Sequence, residues 1–136
     1  RKSEPEFLKA FDFLMSHDPS DIAGRKDANM FIITWLSGVP YIGVSTDQNI
    51  WTFIGNKENA QLLMLCMGGW VKYSIDTKKY NDEIMGNYKG LEAVIQFCKK
   101  NPDTFKDSSI KELTEKYDKG TLKDWIQSKI SARTKK

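Results

Sequence analysis

The sequence has very few of the residues on which common catalytic and metal sites depend. It contains a single histidine, His17, and two cysteines, Cys66 and Cys98, which lie far apart in the chain. A zinc site needs about four ligands, and a catalytic serine or cysteine needs a base beside it. The signatures GxGxxG, GxxxxGK[ST], HExxH and GxSxG are also missing. We therefore predict no catalytic residues, no metal ligands and no cofactor.

The sequence also lacks a strong charge of one sign. The formal net charge is +3, and part of this excess comes from the two termini. Within the chain, lysines alternate with acids, as at Lys111 and Glu112, which is typical of a solvated surface. A nucleic-acid-binding protein would show a basic stripe on one structured face. We expect no nucleic-acid partner.

No apolar run is long enough to cross a bilayer. The longest lies between Ala60 and Val71, where Gln61 is the only conventional polar residue, whereas a transmembrane helix takes roughly 20 residues. A helix that is apolar on nearly every side belongs in the centre of a packed domain. We predict a central helix at about 57–75 and no transmembrane segment. The glycine pair Gly68 and Gly69 inside it indicates a close approach of another helix or a kink.

Amphipathic patterns on both sides of this central helix predict an all-α fold. Apolar residues recur at helical spacing in the first, second and fourth segments and in two short final ones. We predict five or six helices in one compact domain covering residues 1–136, with 131–136 frayed. The fourth helix shows a narrow apolar stripe, and its glycines Gly86 and Gly90 are expected to face the pair at 68–69.

The connection at 39–55 has a different composition. It is rich in β-branched and aromatic residues, which fits a β-hairpin or an irregular loop with a short helical turn. We favour an extended or irregular, well-packed connection with little regular strand. Loops on a rigid scaffold often carry binding residues. Tyr41, Trp51 and Phe53 lie here, outside any helical pattern, and are the candidate binding residues. The tryptophans on apolar helical faces are expected in the core: Trp35, Trp70 and Trp125.

The two cysteines leave an alternative open. Cys66 and Cys98 both lie in apolar helical patterns, so they are either two buried free thiols or the partners of one long-range disulfide. The chain begins at Arg1 and not at methionine, as a mature exported protein does after its signal peptide is removed. A trimmed chain would begin in the same way.

Two weaker site hypotheses involve acidic residues. His17 lies among Asp12, Asp18 and Asp21, so a surface metal site is the alternative to a polar helix end. Glu92 adjoins an apolar stripe and is the candidate for a carboxylate enzyme hidden in the fold. We favour the non-catalytic interpretation of both.

Some short motifs resemble a family of uncharacterised, exported proteins of Bacteroidetes bacteria. They are the segment from Arg25 to Asn29 running into WLSGVP at 35–40, GWVKY at 69–73 and KGL at 89–91. The resemblance implies a signal peptide in the precursor and a periplasmic setting, with no known activity. With a Cys66–Cys98 bridge, the helices would also resemble the small periplasmic proteins of the HdeA and Tai4 kind, which are acid chaperones or toxin-binding proteins.

From these observations we expect a non-enzymatic binding or interaction protein of the periplasm or cell exterior, with the cytoplasm as the alternative location. Its partner would be an unknown protein or small ligand. The alternatives are a small enzyme with a carboxylate site not visible in the sequence, and a structural helper subunit that forms a homo-oligomer.

Overall fold

The computed structural model describes residues 4–16, 20–39, 41–42, 44, 47–55, 60–102 and 107–134. They form six α-helices and one short 3-10 helix: α1 (Glu4–Ser16), α2 (Ile22–Ser37), the 3-10 helix (Thr52–Gly55), α3 (Ala60–Thr77), α4 (Glu83–Lys100), α5 (Ser108–Asp118) and α6 (Leu122–Thr134). None of these residues lies in a strand. The all-α prediction is confirmed.

Three helices are preceded by a capping aspartate, whose side chain accepts a hydrogen bond from a backbone amide of the first turn. Asp21 Oδ1 accepts from the Gly24 N–H at 3.1 Å, and α2 begins at Ile22. Asp82 caps α4 in the same way and Asp107 caps α5. These bonds satisfy amide groups that have no partner inside the helix.

The predicted central helix is α3. It begins at Ala60 and ends at Thr77, two residues beyond the predicted Ile75, because the helix stops only where Lys78 takes a left-handed φ of 59°. Residues 57–59 lie outside the described residues. α3 contacts α1, α2, α4 and the 3-10 helix, and Leu62 and Leu65 on it are fully buried.

Glycines set how closely the neighbouring helices approach α3. A Cβ atom on Gly90 would lie 2.5 Å from the carbonyl oxygen of Cys66, and one on Gly69 would lie 2.7 Å from that of Lys89. The predicted contact between the two glycine pairs is therefore confirmed for these two residues. Gly68 instead faces the ring of Phe11 on α1, and Gly86 faces the indole of Trp70.

The narrow apolar stripe predicted for α4 was wrong. This helix packs against α3 on one side and against α5 and α6 on others, so it is buried over a much wider face. Asn87, Ala93, Val94 and Phe97, which lie off the predicted stripe, are all buried. The wider burial makes α4 the second central element of the fold.

Candidate binding groove

A groove of about 470 Å³ lies between α1, α3 and α4. Its volume is in the range of roughly 300–1,000 Å³ that is typical of small-ligand sites. The groove extends along α3 from the glycine pair to the C-terminal end of the helix, and its lining residues come from all three helices: Phe11, Asp12, Met15, Gly69, Lys72, Tyr73, Asp76, Thr77, Lys89, Glu92, Ala93 and Gln96.

The floor of the groove is apolar because small residues on α3 and α4 leave room for larger ones on α1. Gly69 and Ala93 lie where the two helices come closest. Phe11 lies beside them with its ring against Gly68, and Met15 follows one turn later on α1. A ligand seated here would cover apolar surface, which is the main source of binding free energy for small molecules.

The rim of the groove carries charges of both signs, most of them paired. Lys72 Nζ lies 2.6 Å from Asp76 Oδ2 on α3, and Lys89 Nζ lies 3.3 Å from Glu92 Oε1 on α4. Glu92 Oε2 also accepts a hydrogen bond from the Tyr117 hydroxyl at 2.9 Å, which links the rim to α5. Asp12 on α1 is exposed, and no described residue forms an ion pair with it.

Tyr73, which lines the groove, and Tyr117, which contacts Glu92, both have a raised pKa. Burial raises the pKa of Tyr73, and the hydrogen bond from its hydroxyl to Asp82 raises it further. The hydrogen bond to Glu92 raises the pKa of Tyr117, with burial adding to the effect. A phenol that is harder to ionise than usual is a poor general base at neutral pH.

The structure buries two of the three candidate binding residues in the 39–55 connection. Trp51 and Phe53 are both 0% exposed, and the Trp51 indole donates a hydrogen bond to Asn87 Oδ1 of α4 at 2.6 Å. Only Tyr41 is half-buried; its hydroxyl donates to Glu4 Oε2 at 2.7 Å. The three do not form an exposed aromatic patch, and their binding role stays a prediction that only Tyr41 could serve without opening the core.

The described part of this connection has no strand, as predicted, and it contains the short helical turn of the alternative to the hairpin. The amides of Ile50 and Trp51 both donate to the Asp47 carbonyl, and a 3-10 helix follows at Thr52. This turn directs the two large aromatic side chains into the core. Composition alone does not reveal this direction. Aromatic residues outside a helical pattern are equally suited to anchor a loop on the core.

Both cysteines are free and buried. Cys66 contacts Gly90, whereas Cys98 lies eight residues further along α4, a distance of about 12 Å along the helix axis. A disulfide needs Cα atoms within about 7 Å, so the bridge left open by the sequence does not fit this packing. Burial raises the pKa of Cys98 to about 12 and that of Cys66 well above its usual value. Neither thiol is a nucleophile at neutral pH.

The described residues do not form a metal site. His17 lies outside the described residues, so the hypothetical site around it is not described. Within the part of the chain that the structure describes, no group of three histidine, cysteine or acidic residues could hold a metal ion.

Most of the residues that line the groove are not predicted as site residues by the sequence. The sequence suggests Glu92 as a catalytic acid and Asp12 as a neighbour of His17, but the spacing does not show that α1, α3 and α4 border one groove. The one sequence feature that indicates the groove is the pair Gly68 and Gly69, because Gly69 lines it and a residue without a side chain leaves space there.

A second surface feature lies on α2. Met30, Phe31 and Ile33 are exposed by 56%, 38% and 47%, and they are the exposed large hydrophobic residues among those described. The helical spacing of the sequence instead predicts Phe31 on the buried face of this helix, with Met30 and Ile33 widening it. Ile32 and Trp35 of α2 are buried in the core, because α1 and α3 cover one side of the helix.

Comparisons with family models, with curated proteins and with solved structures find no match for this chain. None of the described helices is long and apolar enough to cross a membrane.

Proposed function

We propose that this chain is a non-enzymatic binding protein and that the groove between α1, α3 and α4 is its binding site. The observation that carries the proposal is the groove itself, which has an apolar floor at Gly69 and Ala93 and a charged rim. Specific small-molecule sites combine these two properties, because apolar contact supplies affinity and a few polar groups fix orientation.

The alternative enzyme interpretation has less support at this site. Asp76 and Glu92 each face a lysine, and Glu92 also accepts a hydrogen bond from Tyr117. Their oxygens are therefore engaged in contacts that a proton-transfer step would have to break. Acid–base catalysis by a carboxylate pair would need both groups directed at one reacting atom.

A fragment screen by saturation-transfer NMR tests the proposal. Gln96 is exposed on α4 and lines the groove, so a Gln96→Trp substitution would fill the groove without disturbing the core. We expect fragments that bind the unmodified protein to lose at least about ten-fold in affinity for Gln96→Trp, because the indole occupies their volume.

The matched control is Lys100→Trp, one turn further along α4, exposed and outside the groove lining. It adds the same side chain and should leave fragment affinities unchanged. The proposal fails if no fragment binds, or if both tryptophan variants bind as the unmodified protein does.

We further propose a periplasmic or secreted setting, with the cytoplasm as the alternative. The support is the resemblance of the segments WLSGVP and GWVKY to segments of exported proteins. The two cysteines add no support, because free thiols do not require an oxidising compartment. Fractionation of the native host would test this setting, and recovery in the cytoplasm alone would contradict it.

The exposed face of α2 supports a second candidate function, as a subunit that pairs with another copy of the chain. Met30, Phe31 and Ile33 would be covered in such a homodimer. We expect the mass in light scattering to rise with concentration, and an Ile33→Glu substitution to abolish the rise. A strict monomer at high concentration would contradict this candidate.

A further inference from the structure

Resting on the proposed function, we infer the chemical class of the ligand: a small organic ammonium ion, with a protonated amine attached to an apolar body. The apolar body would cover the floor formed by Phe11, Met15 and Ala93. The amine would meet Asp12 at the rim.

The balance of charge around the groove favours a cation. The lining contains three carboxylates, Asp12, Asp76 and Glu92, and two lysines, Lys72 and Lys89. Each lysine is paired with one carboxylate, at 2.6 Å and 3.3 Å. Asp12 has no ion-pair partner among the described residues, so the lining residues carry one net negative charge.

The hydrogen-bonding groups show the same preference. The Tyr73 hydroxyl already donates to Asp82, and the Thr77 hydroxyl already donates to the Tyr73 carbonyl. The two lysines donate to the carboxylates beside them. An anionic ligand would have to break an ion pair to find a charged donor, whereas an amine finds a free carboxylate at Asp12.

The end of α3 adds to the negative potential. Tyr73, Asp76 and Thr77 lie in the last turns of this helix and line the groove. The carbonyl groups at a helix C-terminus carry a partial negative charge that favours cations nearby. Lys78 and Lys79 follow the helix but do not line the groove, and Lys72, which does, is paired with Asp76.

Three probes of similar size and different charge test the inference: 2-phenylethylamine, 2-phenylethanol and 3-phenylpropionate. Dissociation constants come from ¹⁵N chemical-shift titrations of the full chain. We expect 2-phenylethylamine to bind tightest and 3-phenylpropionate weakest. Asp12→Asn should weaken amine binding about three-fold, as expected for a partly exposed ion pair, and leave 2-phenylethanol unchanged.

Asp124→Asn is the control, because Asp124 is an exposed carboxylate on α6 and does not line the groove. It should leave all three affinities unchanged. Equal or tighter binding of the alcohol or the anion, or an amine affinity unchanged in Asp12→Asn, would overturn the ligand class while leaving the groove as a binding site. Binding of none of the three probes, together with an empty fragment screen, would overturn the proposed function as well.

Discussion

Replacing Gly90 by alanine is expected to lower the free energy of unfolding by about 2–3 kcal/mol, the upper part of the range of about 1–3 kcal/mol that is typical when extra methylene groups are forced into a packed core. The new Cβ would lie 2.5 Å from the carbonyl oxygen of Cys66 and 3.0 Å from its sulfur. A backbone oxygen in the middle of α3 cannot move unless the whole helix moves. The loss should appear even though alanine is favoured over glycine in a helix by about 1 kcal/mol. Chemical denaturation of the two proteins measures it.

Two further variants separate the backbone clash from other causes. Gly38→Ala places a Cβ no closer than 3.8 Å to other atoms at an ordinary φ of −100°, so it should be neutral or slightly stabilising. Adding Cys66→Ala to Gly90→Ala removes the sulfur contact but keeps the carbonyl, and should not restore stability. Full rescue by this double substitution would show that the close approach of α3 and α4 is not limited by their backbones.

Replacing Arg25 by methionine is expected to lower the free energy of unfolding by about 2 kcal/mol, the scale of a buried hydrogen bond from a charged group. Arg25 is only 2% exposed. Its Nη1 donates to the Leu14 carbonyl at 2.8 Å, and its guanidinium lies 4.9 Å from the centre of the Phe97 ring. One side chain on α2 thus links the end of α1 to α4. Methionine retains much of the apolar volume but leaves the Leu14 carbonyl without this donor.

The neighbouring Lys26→Met is the control, since Lys26 is exposed on the same helix and should change stability by less than about 0.5 kcal/mol. Arg25→Ala should cost more than Arg25→Met, because it also leaves a cavity beside Phe97. If Arg25→Met proved as stable as the unmodified protein, Arg25 would not be a link between these helices. In some proteins a buried ionic group can be replaced by an apolar one without loss of stability. The measurement therefore distinguishes between two outcomes that are both known.

The helices could be predicted from the sequence because their periodicity is local information. The segment from Ala60 to Val71 is apolar on nearly every side, and this property alone placed it in the centre. The pairing of glycines at 69 and 90 was also predictable, since both lie on helices with a strong apolar face. Helix starts are harder to predict, because an aspartate cap such as Asp21 competes with other polar residues nearby.

The site could not be predicted in the same way, because it depends on three helices meeting in space. Trp51 and Phe53 were candidate binding residues on composition, yet a turn at Asp47 directs both into the core. Met30 on α2 was expected to widen a buried face and is exposed instead. In both cases the sequence of one segment does not show which neighbouring elements will cover it.

The central claim is that ligands bind in the groove and not at the 39–55 connection. A ¹⁵N chemical-shift map of the full chain with the best fragment tests it most directly. We predict the largest changes at Asp12, Gly69 and Ala93, with little change at Ile42 and Trp51. Changes concentrated at Ile42 and Trp51, with none around Gly69, would contradict the account.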